Sequence, residues 1–548
     1  MALESKQINA VPLDTIGING IDTQTTPTAL TPNWFTKADN VVYTEGGKVT
    51  FRKGLKQGTL TGGAKIGSIT EHYNGTTNKI FAGVGTNMYI VDLSDKDNAW
   101  TGSFATGAAS SDWQFTNFNT HLYAVQFDED PLYYDNSSWA KLKDTSGYQA
   151  PTGVTTFDPS CMLGFYGRVW AGGITEEDDV LYYSKLLDGH KWGADGGFID
   201  LKSVWGQDTI VAIHSFAGKL VIFGKENIAI YNSPDIIGNI ALDEVIRGIG
   251  CVSRDSIQSI GDDLYFLSDT GVRSLFRTTQ LDKLPLTEKS ITIKDELISN
   301  ISSSTNVKST FMLNEGLYIL SFVDKNVTYV FDTTYKTEKE TPRITKWDFA
   351  DSREPASMAY TETYGLLVGQ QAGRVATYEG YYDVDYSGSS TYTYNSYTVS
   401  FSTVWIDLGE GVQSSILKRL VMLVSGGQGT DVGIRLYKDF EMTPKISPTF
   451  KLNPTLSGEP SYWGATFSKY GPLTGHTHNS ATHPAASKYA PIHGFKERSI
   501  PLAGSAKYIR LEWDGVTKGY KASLQSLSLL FNLLLYIPKW ATLKSLKA

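Results

Sequence analysis

Apolar residues along this chain fall into short runs of strand-forming residues, each entered through a polar or glycine turn. Seven of these runs read alike. They are Asn78-Lys-Ile-Phe-Ala-Gly, Asn119-Thr-His-Leu-Tyr-Ala-Val, Tyr166-Gly-Arg-Val-Trp-Ala-Gly, Ala217-Gly-Lys-Leu-Val-Ile-Phe, Gly261-Asp-Asp-Leu-Tyr-Phe-Leu, Asn314-Glu-Gly-Leu-Tyr-Ile-Leu and Tyr364-Gly-Leu-Leu-Val-Gly. Their matching apolar positions are Ile80, Leu122, Val169, Leu220, Leu264, Leu317 and Leu366, separated by 42, 47, 51, 44, 53 and 49 residues. That period is the period of four-stranded propeller blades. The fold class expected is therefore all-β, with a β-propeller of about seven blades over residues 60–385.

Within a repeat the runs pair. Lys219-Leu-Val-Ile-Phe-Gly is followed across Gly224-Lys-Glu-Asn by Asn227-Ile-Ala-Ile-Tyr, and Asp263-Leu-Tyr-Phe-Leu by Gly271-Val-Arg-Ser-Leu-Phe. A run of four or five β-formers suits an inner strand covered on both faces, and the second run of each pair is expected to lie further out. Leu286 to Ile298 is the best candidate for a short helix.

The flanks differ. Residues 1–59 carry Pro12, Pro27 and Pro32 and then a hairpin signal, Asp39 to Gly54 around Glu45-Gly46-Gly47, because glycine supplies the positive φ that tight hairpins need. Residues 386–397 are a Ser/Thr/Tyr/Gly tract, read as a linker or a polar edge strand. Strand-like runs return beyond it without the blade period, near 397–401, 415–424, 432–437, 506–513 and 522–531. That spacing suits a β-sandwich, so 386–548 with the N-terminal arm is expected to form a β-sandwich-like platform domain. A Gly/Pro/His-rich insert at 443–497 interrupts it.

Composition narrows the function. Of 548 residues, 41% are hydrophobic and only 19% charged, with 31 Tyr, 24 Phe and 52 Gly, a vocabulary of sheets. The net charge of −8 and the lack of a basic block argue against a general nucleic-acid surface. Two cysteines, Cys161 and Cys251, exclude a disulfide framework and a Cys-based zinc module, and buried thiols are expected. The N-terminus has no apolar signal core, and the apolar run from Leu527 to Ile537 is too short to span a bilayer as a helix. The expectation is a soluble chain made in a reducing cytoplasm.

Candidate chemistry is sparse. Four histidines, His476, His478, His483 and His493, share the long insert, and a His-x-His pair on a strand puts both imidazoles on one face. No carboxylate or cysteine lies near to complete a metal shell, so a polar assembly loop is the preferred reading. The acidic runs Asp128-Glu-Asp and Glu176-Glu-Asp-Asp read as solvated turns, since no acid recurs at one blade position. The Ser-x-Asp-x-Gly-x-x-Trp box of sialidase-type propellers is absent, as are nucleophile-elbow, P-loop and dinucleotide motifs. The tryptophans 170, 205, 347, 405, 463 and 513 suit blade interfaces and protein contacts more than sugar platforms. No catalytic, cofactor-binding or metal residue is therefore assigned, and no enzyme is expected.

The segment Asn40-Val-Val-Tyr-Thr-Glu-Gly-Gly-Lys-Val-Thr-Phe-Arg-Lys-Gly resembles the start of the tail nozzle proteins of short-tailed, podovirus-like bacteriophages, also called tail hub or stabilisation proteins. Asn40, Gly46, Gly47, Arg52 and Gly54 fill its pattern of an Asn, a Gly turn and Arg-x-Gly before the first blade. Trp405-Ile-Asp-Leu-Gly, Lys418 to Val424, Tyr437-Lys-Asp-Phe and Ile509 to Gly515 look like the post-propeller sheet of that family; the His-rich insert lies outside the pattern. The resemblance implies a homohexameric ring in the virion tail, assembled in the bacterial host cytoplasm. It would extend the DNA channel below the portal and its adaptor (the head-to-tail connector), dock tail fibres, and take part in genome retention and ejection. DNA would pass without sequence-specific binding. In that arrangement the platform surrounds the channel and the propeller sits outside it. A carbohydrate-binding or carbohydrate-active propeller, or a cytoplasmic scaffold, are the other readings of the same residues.

Overall fold

A computed structural model describes residues 9–44, 47–60, 64–93, 100–232, 234–276, 286–304, 306–349, 353–386, 392–408, 414–427, 429–452 and 495–533. The four insert histidines, Trp463 and the Glu45-Gly46 turn lie outside them. No helix among the described residues is long and apolar enough to cross a membrane.

Two compact units emerge: residues 55–379 with 383–395, and residues 1–54 with 380–382 and 396–548. The first is a seven-bladed β-propeller. Six blades are built of four antiparallel strands taken in chain order, as in blade 4 with Ile210–Phe216, Lys219–Gly224, Asn227–Asn232 and Ala241–Arg247. Blade 7 takes three strands from the end of the repeat region, Pro355–Thr361, Gly365–Gln370 and Arg374–Tyr378. Its fourth is Leu55–Leu60, from before blade 1. The propeller thus begins at Leu55 and not at residue 60, because those six residues complete its last sheet. The tract after 385 also belongs to this unit, where Tyr392–Asn395 pairs with Asp383–Tyr386 as an edge strand.

The seven repeated apolar positions all lie on the second strand of a blade and all are buried. Blade 4 shows why the run must be apolar on both faces. Leu220, Ile222 and Ala229 pack toward Trp170 and Leu181 of blade 3, while Val221, Phe223, Ile228 and Ile230 pack toward Leu264, Phe266 and Leu275 of blade 5. Alternation along a strand sends successive side chains to opposite neighbours. Each fully buried side chain contributes about 1.5–3 kcal/mol of transfer free energy. The third strand is buried as well, as in Asn227–Asn232, so the outer position falls to the fourth; Ala241–Arg247 exposes its first three residues. The predicted helix starts later than expected: Leu286–Glu288 is the outer strand of blade 5, and the helix runs over Lys294–Ser303.

The second unit is β-sandwich-like. One sheet runs Val41–Thr44, Lys48–Phe51, Ala522–Leu533, Ser415–Gly426, Phe495–Pro501, with Asn9–Pro12 also on Ala522–Leu533. The other pairs Phe35–Asp39, Thr398–Thr403, Tyr508–Val516, Asp431–Lys438 and Thr449–Lys451 in that order. Tyr508–Val516 alternates buried and part-exposed positions throughout, as a strand with one covered face must. Phe51 reaches from the first sheet to Gly515 of the second, where a Cβ would lie 2.9 Å from its ring.

The N-terminal hairpin is tied to the C-terminal strands at one buried knot. Arg52 is fully buried and donates from Nε to Asn40 Oδ1 at 2.7 Å and from Nη1 to Lys53 O at 2.7 Å. Its guanidinium sits 4.1 Å from the centre of the Tyr397 ring, and Tyr397 Oη donates to Arg52 O. Asn40 takes the left-handed conformation at φ 59°, which Asn tolerates better than most residues, and donates to Thr398 O at 2.7 Å. Gly54 N reaches Gly380 O at 3.0 Å.

Two substitutions test this architecture. A Cβ at Gly369 would lie 2.3 Å from Ser357 Oγ and 2.7 Å from Ile66 Cγ2, at the junction of blades 7 and 1. Gly369→Val is expected to lower propeller stability by about 1–3 kcal/mol, read from the denaturant midpoint of propeller tryptophan fluorescence. Arg52→Met removes the buried donor to Asn40 Oδ1 and the cation over Tyr397, and the second unit is expected to lose about 2 kcal/mol, read as earlier proteolytic release of its strands.

Candidate functional site: the propeller axis

Propeller axes are concave, and here the axis is lined by the first strand of every blade: Ile66–Tyr73, Gln114–Phe118, Cys161–Phe165, Ile210–Phe216, Gln258–Ile260, Val307–Met312 and Pro355–Thr361. They surround a mostly polar cavity of about 340 Å³. The polar side chains around it are largely engaged with neighbouring blades. Ser68 Oγ donates to Ser111 O at 2.8 Å, joining blade 1 to blade 2. Gln114 Oε1 and Thr116 Oγ1 accept from Met162 N and Gly164 N at 3.0 and 2.9 Å, joining blade 2 to blade 3. Gln258 Nε2 donates to Ser309 O at 3.3 Å and Ser309 Oγ to Asp255 O at 2.7 Å, between blades 5 and 6. Ser357 Oγ donates to Ile66 O at 2.8 Å, between blades 7 and 1. These side-chain bonds tie four of the blade junctions along the inside of the ring.

At the end of the axis where the first strands begin, an ion network crosses between blades that are not neighbours. Lys308, at the start of blade 6, contacts Asp112, which precedes blade 2, and lies 2.7 Å from Asp255 of blade 5. Arg254 donates to Asp112 O at 2.6 Å and to Ser160 O, which precedes blade 3. Burial would lower the Lys308 ammonium, but Asp255 and Asp112 overcome it and raise its pKa. Burial likewise pushes Asp112 up, yet Lys308 and Arg254 dominate and hold it below the ordinary carboxylate value. Asp112 is thereby kept ionised, and Lys308 holds Asp112 and Asp255 together. His214 also lines the cavity; burial lowers its pKa, and Nδ1 lies 2.8 Å from Ser215 O.

The residues singled out from sequence scatter. Asp130 pairs with Lys141 and Lys143 at 2.8 and 2.9 Å, and Glu129 accepts from Ala109 N. Glu176 accepts from Thr155 N, Glu177 from Tyr182 Oη, and Asp178 from Thr209 Oγ1. These are loop acceptors in two separate blades. Cys161 and Cys251 are fully buried at blade interfaces, and burial pushes their thiols up to about 12 and about 11, the state of inert core cysteines. Trp170 and Trp205 fill the junction of blades 3 and 4, and Trp347 stacks on Tyr378 with ring centres 5.0 Å apart. The axial network itself was missed. Its four members are single residues at blade starts, 53 or more positions apart apart from the Arg254-Asp255 pair, and only ring closure brings them together.

No protein-family profile matches the chain, and no curated protein matches it. Similar solved structures include PorZ, a bacterial surface component of the type-IX secretion system of Porphyromonas gingivalis, at 12% identity over 66% of this chain and 44% of that one, with a TM-score of 0.35. The chain thus spans less than half the length of PorZ. A streptogramin B lyase is 11% identical over 59% of this chain and 97% of its own, at a TM-score of 0.39. YCF48, solved bound to D1 peptide, is 10% identical over 58% and 94%, at 0.37. At such scores the propeller assignment rests on the seven sheets themselves.

Proposed function

We propose that this chain is a structural component of a bacteriophage short tail, a nozzle subunit that assembles into a ring, extends the DNA channel and carries tail fibres. The observation that carries the reading is the buried knot of Asn40, Arg52 and Tyr397 with the Gly54–Gly380 bond. Asn40, Arg52 and Gly54, three of the residues that resemble the nozzle pattern, knit the N-terminal hairpin into the C-terminal strands. A platform made from both chain ends would need such a tie.

The propeller axis supports a mechanical role over a chemical one. Glycosidase chemistry asks for two carboxylates of unlike pKa, one protonated and one free. Asp112 and Asp255 instead share Lys308 and lie beside Arg254, and Asp112 is held below the ordinary carboxylate value, the opposite of what a general acid needs. A cross-ring lock of this kind resists separation of the blades under load.

The lock's pH dependence has a defined sign. Asp112 is depressed in the fold, so its contribution is present above the unfolded value of about 3.9 and is lost as pH falls through the folded value. Lys308 is raised, so its contribution is present below about 10.4 and fades as pH rises through its folded value. Lys308→Met leaves Asp112 and Asp255 with Arg254 as their one remaining cation in the network and is expected to lower propeller stability by roughly 2–3 kcal/mol at pH 7. The variant should also lose part of the native propeller's steep decline below about pH 4; denaturant melts across pH check both.

The functional reading is tested by native mass and negative-stain microscopy of the purified chain. A six-fold ring with six times the 60.3 kDa chain mass is expected. A monomer that cleaves chromogenic glycosides would overturn it in favour of the carbohydrate-active reading.

A further inference from the structure

The face of the propeller that carries the axial ion network also carries a groove across blades 2 to 5 with two unlike ends. One end is a cavity of about 590 Å³ lined by seven carboxylates against two lysines, an excess of five negative charges. The carboxylates come from the Glu176–Asp179 loop, Asp200, Asp208 and Glu226. Among the described residues none of the seven forms an ion pair. Their hydrogen bonds come from backbone amides, hydroxyls and the Asn227 side-chain amide, all neutral donors that leave the charge uncompensated.

The other end is a mostly apolar cavity of about 630 Å³ that shares Asp178, Thr209 and Lys225 with the first, so the two are continuous. Phe127 is 64% exposed at its rim and Val252 39%. A phenylalanine this exposed, beside an apolar cavity, is a surface that gains from being covered. Gln126 lines the same cavity, is only 7% exposed, and has no partner for Oε1 among the described residues. A buried acceptor without a donor is destabilising until one is supplied.

The missing complement is cationic at one end, and apolar with an N–H donor at the other. Residues 538–548 of this chain, Pro-Lys-Trp-Ala-Thr-Leu-Lys-Ser-Leu-Lys-Ala, hold Lys539, Lys544 and Lys547, no acid, and Trp540. An indole offers a large apolar body and a single N–H donor. We infer that this groove docks the C-terminal Lys/Trp segment of a second copy of the chain, with Trp540 toward Phe127 and Gln126 and the lysines toward the acidic end. The contact would link copies whatever the assembly they build, so it does not depend on the tail reading. Long-range attraction between the acidic end and the lysines would favour encounter, and the aromatic anchor would set residence time.

The test is zero-length carbodiimide crosslinking of full-length chain, mixed from heavy-isotope and natural-isotope preparations, followed by peptide mass spectrometry. Amide links from Lys539, Lys544 or Lys547 of one isotope to Glu176, Asp178 or Glu226 of the other are expected. Links confined to one isotope, or none at these carboxylates, would overturn the proposal. A fluorescent peptide of residues 538–548 gives the second arm. Its affinity for the full-length chain should fall about tenfold in a Glu176→Gln, Asp178→Asn, Glu226→Gln variant and weaken with added salt. Equal binding to that variant, or equal binding of a Trp540→Ala peptide, would also overturn it. Single-copy links together with a ring-sized native mass would sink this contact and leave the tail reading standing.

Discussion

A circle of sheets has to be closed by something, and here six residues do it. Leu55–Leu60 pairs antiparallel with Arg374–Tyr378, so the last blade is completed by chain from before the first. Leu55 N is held by Asp383 Oδ1 at 2.9 Å, and Gln57 Nε2 meets Gln370 Oε1 at 2.8 Å in a buried pair. Without that strand, blade 7 would have three strands and a long exposed edge, and nothing covalent would oppose opening between blades 7 and 1. Every other blade junction inherits its geometry from this closure, because neighbouring blades bury one another's apolar faces.

Closure then dictates what the axis can be. First strands meet at the centre of the ring, where backbone approach is close; a Cβ on Gly164 would lie 2.6 Å from Asn117 O. Ser68, Gln114, Thr116, Gln258, Ser309 and Ser357 on these strands bond to a neighbouring blade, while Met162, Leu163 and Ile213 add apolar lining. The residual charge at the strand starts is gathered into the Asp112–Lys308–Asp255–Arg254 network. Such a network is weak as a source of net stability but strong as a register device, since removing one member strands the rest. That property suits a part that carries force. It suits less well a site that must change protonation during each turnover.

Much of this was legible in the sequence, and what was not has a physical reason. The second strands announce themselves because both faces are buried: Leu220, Val221, Ile222 and Phe223 form an unbroken apolar run. First strands such as Gln114–Phe118 and Val307–Met312 do not, because one face looks onto a polar axis. Leu55–Leu60 carries Lys56, Gln57 and Gly58 and reads as a continuation of the hairpin, so the propeller boundary fell five residues late. The Asn40…Arg52 pairing could be suspected from resemblance, but its partner Tyr397 is 345 residues from Arg52 and only the fold reveals it. The acidic loop at Glu176 was read as a solvated turn. Its hydrogen bonds fit that reading, and the groove beside it depends on Asp200, Asp208 and Glu226 arriving from other strands.

The central claim is that the ring is one cooperative body locked by its closing strand. Native-state hydrogen exchange, followed peptide by peptide under mild denaturant, tests it most directly. The account predicts that amides of Leu55–Leu60, of Arg374–Tyr378 and of the first strands of blades 1 to 6 lose protection in a single step at the same free energy. Early exchange of Leu55–Leu60 and blade 7, with the remaining blades still protected, would contradict it.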